Sequence, residues 1–245
     1  MSDLIYGRHP VLEALRAGEG VQRLLVAKGA QTGGSLADIL AAAREQRVRV
    51  DWVDRRELDR LGGVHQGIAA ELRPFRYADV DDILARAQAQ GEPALILALD
   101  AVQDVHNLGS LLRTADAVGA HGVILPERRA AGVTPAVRKA SAGAVAHLPI
   151  AQVTNLTRAL DSLKAQGVWV VGLDMAGQQP FDTYDWRTPT ALVVGSEGKG
   201  LGRLVAETCD VLVNLPMRGH VDSLNAAVAG SIVLYHAWRS RSRSA

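Results

Sequence analysis

The 245-residue chain has one cysteine, Cys209, so neither an intrachain disulfide framework nor a cysteine-built zinc site is open to it. Cys209 reads as a buried, inert thiol. Aromatic residues make up only 4%, which leaves little material for the stacking platforms of single-strand nucleic-acid binders. No apolar run approaches the roughly 18 residues of a membrane span, and nothing near the N-terminus resembles a secretory signal. The histidines are scattered without H-E-x-x-H or related spacing, so no metal site is expected. Neither sign of charge dominates, with 27 Lys+Arg against 26 Asp+Glu. Any contact with nucleic acid must therefore come from local placement of Arg and Lys. These absences leave a protein of the reducing cytoplasm as the expectation, with no membrane partner.

What is present is a rhythm of apolar runs and amphipathic helices, in a chain long enough for two modest domains. Residues 1–73 read as a small α/β unit. A helix begins near Pro10 and ends by Gly18, and Leu36, Ile39, Leu40 and Ala43 mark a second helix. Residues 23–27, 48–53 and 67–72 read as strands, with a short charged helix over 54–61. Residues 74–92 interrupt that rhythm: Pro74, the D-V-D-D cluster at 79–82 and G-E-P at 91–93 suggest a connection between domains. From residue 93 onward six apolar runs alternate with helices: A-L-I-L-A-L-D, G-V-I-L-P, L-P-I-A-Q-V, V-W-V-V-G-L, T-A-L-V-V-G and V-L-V-N-L-P. Continuous apolar strands of this kind belong to a parallel sheet covered on both faces. The fold class is α/β.

Ligands of open α/β sheets sit beyond the carboxyl ends of the strands, which selects the loops after Asp100, Val194 and Leu215. In the first, Leu108, Leu111, Leu112 and Ala115 form a buried stripe, placing Arg113 opposite it on the face of Gly109. The missing side chain at Gly109 would let a phosphodiester reach the guanidinium; alternatively Arg113 pairs with Asp116. Asn107 stands at the strand-to-helix turn, where it could be a helix N-cap. The second loop, G-S-E-G-K-G at 195–200, is not a P-loop, which would need glycine at Val193 and Ser or Thr at Gly200. Its glycines permit close backbone approach to a ligand, although a tight solvent turn would use them too. In the third, Pro216 ends a strand, and Asp222 or Ser223 stands where the N-cap of a long helix reaching about Trp238 is expected. That helix is apolar nearly all round and should be buried on several sides. Asn225 in such a setting needs either a specific partner or nearby backbone to satisfy its amide.

Together, D-V-H-N-L-G-S-L-L-R-T-A at 104–115, G-S-E-G-K-G-L at 195–201 and L-P-M-R-G-H-V-D-S-L-N at 215–225 resemble the three motifs of the SPOUT class of RNA methyltransferases, in its ribose 2′-O-methylating branch. I-Y-G-R-H-P-V-L-E-A-L at 5–15 and V-H-Q-G-I-A-A at 64–70 resemble the small L30e-like domain of the large-subunit rRNA guanosine enzymes of that branch. The resemblance implies a C-terminal parallel-sheet domain with a deep trefoil knot, a homodimer, and S-adenosylmethionine as cofactor with no metal. It implies that Gly195, Gly198, Leu215, Met217 and Leu224 hold the cofactor. Asn107, Arg113, Glu197, Ser223 and Asn225 would then form the catalytic set. The implied substrate is a guanosine in 23S rRNA, free or in a large-subunit assembly particle, met by Arg8, His9, His65 and Gln66. A tRNA substrate, or a non-catalytic assembly factor, are the alternatives. Two departures from the motifs stand out. Val105 replaces a common proline, which would loosen the loop holding Asn107, and Ala226 with Ala227 removes a hydroxyl after Asn225.

Overall fold

A computed structural model describes residues 3–16, 18 and 20–242, and the chain divides into two compact units, Met1–Arg76 and Tyr77–Ala245. The first contains β1 (Asp3–Tyr6), α1 (Arg8–Arg16), β2 (Val21–Ala27), α2 (Ser35–Glu45), β3 (Arg49–Val53), α3 (Arg55–Leu61) and β4 (Ile68–Leu72). Its sheet runs β1-β4-β2-β3, with β4 antiparallel to β1 and β2, and β2 parallel to β3. The period-two geometry of β2 divides its side chains between two cores. Leu24 and Val26 join Val11, Leu15, Leu36 and Ile39 of α1 and α2, whereas Leu25 and Ala27 join Leu58 of α3.

The second unit contains α4 (Val80–Gln90), β5 (Leu95–Leu99), α5 (Val105–Ala117), β6 (Gly122–Pro126), α6 (Pro135–Ala140), β7 (Ile150–Val153), α7 (Leu156–Ala165), β8 (Trp169–Leu173), β9 (Gln179–Pro180), β10 (Thr190–Val194), α8 (Arg203–Thr208), β11 (Val211–Asn214) and α9 (Ala226–Ser242). All strand pairs are parallel in the order β7-β6-β5-β10-β8-β11-β9. The six expected strands are present, and β9 adds a seventh that two residues ending in proline could not announce. Ile96, Ala98, Ala191 and Val193 pack with α4, α7 and α8 on one face. On the other face α9 meets α5 and β10, where a Cβ on Gly230 would stand 2.8 Å from Leu111 Cδ2 and 3.0 Å from Val194 Cγ2. Glycine is what permits that approach.

Two sequence expectations change here. The proposed connection over 74–92 is mostly part of the second unit. Ala78 bridges to Ala151, and Ile83, Leu84 and Ala87 of α4 enter the core. The acidic cluster is a helix start, with the Asp79 N–H donating to Asp82 Oδ2 at 3.0 Å. The other change concerns α9. It buries Ala227, Gly230, Val233, Leu234 and Ala237, but leaves Val228, Ile232, Tyr235 and Trp238 as an exposed apolar stripe on the single chain.

Candidate functional site

A parallel sheet brings the carboxyl ends of β5, β8, β10 and β11 to one edge, and a polar cluster ties three of the loops that follow. The Asn107 Nδ2 donates to Glu197 Oε1 at 2.6 Å, and Asn225 Nδ2 donates to Asn107 Oδ1 at 2.9 Å. Asn225 Nδ2 also donates to the same Glu197 oxygen. The Asn225 Oδ1 in turn accepts from the N–H groups of Ala227 and Val228 at 2.9 and 3.1 Å. Asn225, and not Asp222 or Ser223, therefore caps α9, and its amide does two jobs at once. The other Glu197 oxygen, Oε2, has no hydrogen-bond partner among the described residues.

The start of α5 is likewise different from expectation. Asp104 is the N-cap, its Oδ1 accepting from Asn107 N at 2.8 Å, which frees the Asn107 side chain for the cluster. This cap holds the helix start with Val105 in place of the common proline. Gly109 has a different purpose from the one read in the sequence: its Cβ would fall 2.4 Å from Ala140 Cβ, so it seats α5 against α6. Arg113 is exposed and forms no hydrogen bond or ion pair among the described residues, with Asp116 or otherwise.

Beside the cluster lies a cavity of about 270 Å³. All five residues expected to hold a cofactor line it: Gly195, Gly198, Leu215, Met217 and Leu224, together with Glu197 and Ser223. Arg113 does not. The 195–200 loop folds on itself through paired Ser196 and Gly200 backbone bonds of 3.1 Å. A Cβ on Gly195 would sit 2.2 Å from the Gly200 carbonyl carbon, and Gly198 has φ +73°, so both positions require glycine. Asp174 and Met175, after β8, also line the cavity and were missed in the sequence. The strand-end rule applied to the fourth apolar run would have found them. Asp174 is held by N–H donation from Ala176 at 2.9 Å and Leu201 at 3.4 Å.

In the first unit the residues expected to meet RNA separate into two kinds. His65 is buried, its Nδ1 accepting from Gly67 N at 3.0 Å and its Nε2 lying 2.8 Å from Asp59 Oδ1. With both ring nitrogens engaged it supports a turn and is not placed to touch a strand. Gln66 is exposed, but its Oε1 accepts from Arg8 N at 3.1 Å at the start of α1. His9 is exposed and the Arg8 side chain is half-exposed.

Comparison with known proteins agrees with this architecture. Residues 94–235 match the SpoU rRNA Methylase family, and residues 4–78 match the RNA 2′-O ribose methyltransferase substrate binding family. The chain belongs to the SpoU/TrmH family of methyltransferases. It is 44% identical to YacO of Bacillus subtilis, a protein assigned provisionally to the TrmH family of tRNA/rRNA methyltransferases, over 98% of this chain and 96% of YacO. It is 46% identical to an uncharacterized tRNA/rRNA methyltransferase of Mycolicibacterium vanbaalenii, over 98% of this chain and 77% of that protein. Among solved structures, the SpoU methyltransferase AviRb of Streptomyces viridochromogenes, in complex with AdoMet, superposes with a TM-score of 0.72 at 30% identity, covering 98% of this chain and 90% of AviRb. An AdoMet-bound rRNA methyltransferase of Sinorhizobium meliloti gives 0.68 at 29%, covering 97% and 87%.

Proposed function

We propose that the protein methylates the 2′-hydroxyl of a guanosine ribose in 23S rRNA, using S-adenosylmethionine. The observation that carries this reading is the Asn107–Glu197–Asn225 cluster at the wall of the glycine-closed cavity. The cavity fits the cofactor's chemistry. The Gly195–Gly200 loop is closed so tightly on itself that its backbone can form one side of the cavity without a side chain at Gly195, and Leu215, Met217 and Leu224 give apolar contact for a purine and its sugar. When bound, S-adenosylmethionine supplies an electrophilic methyl group on a sulfonium.

The chain's own residues then position the acceptor. Asn107 and Asn225 pin one Glu197 oxygen, so the free Oε2 is a fixed acceptor for the ribose hydroxyl. Orientation of this kind contributes roughly 7–11 kcal/mol to such transfers, more than the roughly 10²–10⁴-fold of general-base assistance. A guanidinium stays charged in proteins, so Arg113 acts as a phosphate clamp and not as a base. The hydroxyl proton, directed at Glu197 Oε2, passes from there to phosphate or water. Ser223, on the cavity wall, completes the positioning set.

The exposed stripe of Val228, Ile232, Tyr235 and Trp238 on α9 is the contact for a second copy, giving a homodimer. Thr114 Oγ1 and Ser231 Oγ lie 2.8 Å apart, tying α5 to α9, and Arg113, which lines neither this cavity nor the groove beside it, serves the site of the second copy. Threading of the segment after β11 through the 195–200 region would form the trefoil knot. The first unit is an L30e-like module that brings the RNA, with Arg8 and His9 as its contacts. The match of residues 4–78 to a substrate-binding family supports this. A non-catalytic assembly factor would have no use for a carboxylate held this way beside a cavity. The test is transfer of labelled methyl from the cofactor to unmodified large-subunit rRNA, with tRNA as the control. Labelled ribose in rRNA supports the reading; label only in tRNA, or none, rejects it.

A further inference from the structure

A second hollow, of about 620 Å³, adjoins the first, and Ser196, Glu197, Lys199, Gly200 and Ala226 line both. The 196–200 loop is therefore a wall common to the two. The far side of the second hollow is formed by the loops after β5 and β6, which carry Gln103, Arg128 and Arg129. We propose that this groove takes the acceptor RNA strand, with Arg128 and Arg129 gripping a phosphodiester next to the target ribose. The proposal rests on the methyl-transfer reading and adds the place and the residues that hold the substrate backbone.

Three observations support it. The first is the state of the charges. The side chains of Arg128, Arg129 and Lys199 are exposed and form no hydrogen bond or ion pair among the described residues. One oxygen of each carboxylate in the groove is engaged. Asp100 Oδ2 accepts from Gly202 N at 2.7 Å, Asp104 Oδ1 from Asn107 N at 2.8 Å, and Glu197 Oε1 from two amides. The guanidinium fork matches phosphate oxygens two at a time, and the groove offers two such forks side by side.

The second is backbone conformation. Arg129 has φ +62° and Ala101 φ +58°, left-handed values that cost non-glycine residues roughly 1–2 kcal/mol each. The two loops are nonetheless latched to each other. Ala131 N donates to Val102 O at 3.0 Å, and Gln103 Nε2 to Arg129 O at 3.4 Å. Strain held by such bonds points to a functional constraint. A loop already fixed also loses less freedom when it binds.

The third is the shared wall. Glu197 borders both hollows, so a ribose in the groove and a donor in the first cavity face the same carboxylate.

The test is a double variant, Arg128→Gln with Arg129→Asn, the asparagine chosen because it tolerates a left-handed backbone. Three quantities are read: anisotropy of a labelled rRNA fragment across a salt series, KM and kcat for methyl transfer, and calorimetric binding of S-adenosylhomocysteine. The proposal expects RNA affinity to fall at least about tenfold. The slope of log K against log salt should shrink by about 0.7–0.9, the loss of one neutralised phosphate. KM should rise with kcat changed less, and S-adenosylhomocysteine binding should stay within about twofold. An unchanged slope and KM would overturn it, and so would loss of product binding, which would mean the loops only support the first cavity. Displacement of the RNA by polyglutamate at matched charge would overturn it too, in favour of an acidic protein partner. Failure of the unaltered protein to methylate any RNA would sink the methyl-transfer reading. The anisotropy series would still decide whether this groove binds RNA backbone.

Discussion

Replacing Asn225 separates two roles that the structure gives to one side chain. Its Oδ1 caps α9 through Ala227 and Val228, and its Nδ2 donates to Asn107 and Glu197. Asn225→Ala removes both. Loss of an N-cap costs about 0.5–2 kcal/mol, and the lost amide bonds add about 1 kcal/mol at this exposed position. A fall of roughly 2 kcal/mol in unfolding free energy is the outcome expected from urea denaturation. Asn225→Ser keeps a good cap but has no amide donor, so its stability should lie within about 1 kcal/mol of the parent. Activity should divide differently. Without the Asn225 donor Glu197 keeps only its bond from Asn107 and is less firmly fixed, and loss of one preorganised donor at a reacting centre costs about 10²–10³ in rate. Single-turnover transfer should therefore drop at least about 100-fold in both variants. A serine variant that is as unstable as the alanine variant, or that retains more than about a tenth of the rate, would refute the division of labour.

Other consequences follow from particular side chains. Arg113→Lys should lose nearly as much activity as Arg113→Ala in the same transfer assay, because an ammonium cannot grip two phosphate oxygens as the fork does; full activity of the lysine variant would reject the clamp. Burial, opposed by Glu92, holds the His121 imidazole below its ordinary value of 6.5. A neutral buried imidazole stabilises the fold above that value, and this stability is lost as pH falls from 6.5 toward the lower folded value. His121→Gln should flatten the loss of stability as pH falls below 6.5 in denaturation curves. The Cys209 thiol is pushed up to about 12, chiefly by burial, and donates to Val205 O at 3.2 Å. It should resist alkylation at about pH 8 in the native protein and react on unfolding, as a thiolate is the reactive form.

The parallel sheet was legible because its strands are continuous apolar runs and its helices amphipathic, patterns that local spacing encodes directly. The loops after Val194 and Leu215 were legible for a related reason, since parallel strands put their carboxyl ends together whatever their order, whereas Gly198, Met217 and Leu224 were named by the motif resemblance. What stayed hidden depends on which elements meet. Gly109 looked like an opening in front of Arg113, but its reason is Ala140, thirty-odd residues on by the numbering of the chain. Asn225 as a cap could not be told from Asp222 or Ser223, because all three suit the position and the backbone decides. The Asp79 cluster resembled a linker by composition, yet its charges start a helix whose apolar side fills the second core. His65 carried the polar character of a contact residue, and burial turned it into a brace for its own turn. The exposed stripe on α9 was read as buried because a run of apolar residues does not say whether its cover comes from its own chain.

The central claim is that the loop closed by Gly195 forms the donor's cavity. It is tested most directly by titrating S-adenosylhomocysteine into the pure protein and into Gly195→Ala. The account predicts saturable heat with the parent chain and at least about a tenfold weaker interaction in the variant, whose added Cβ would sit 2.2 Å from the Gly200 backbone. No heat with the parent, or equal binding by both, would contradict it.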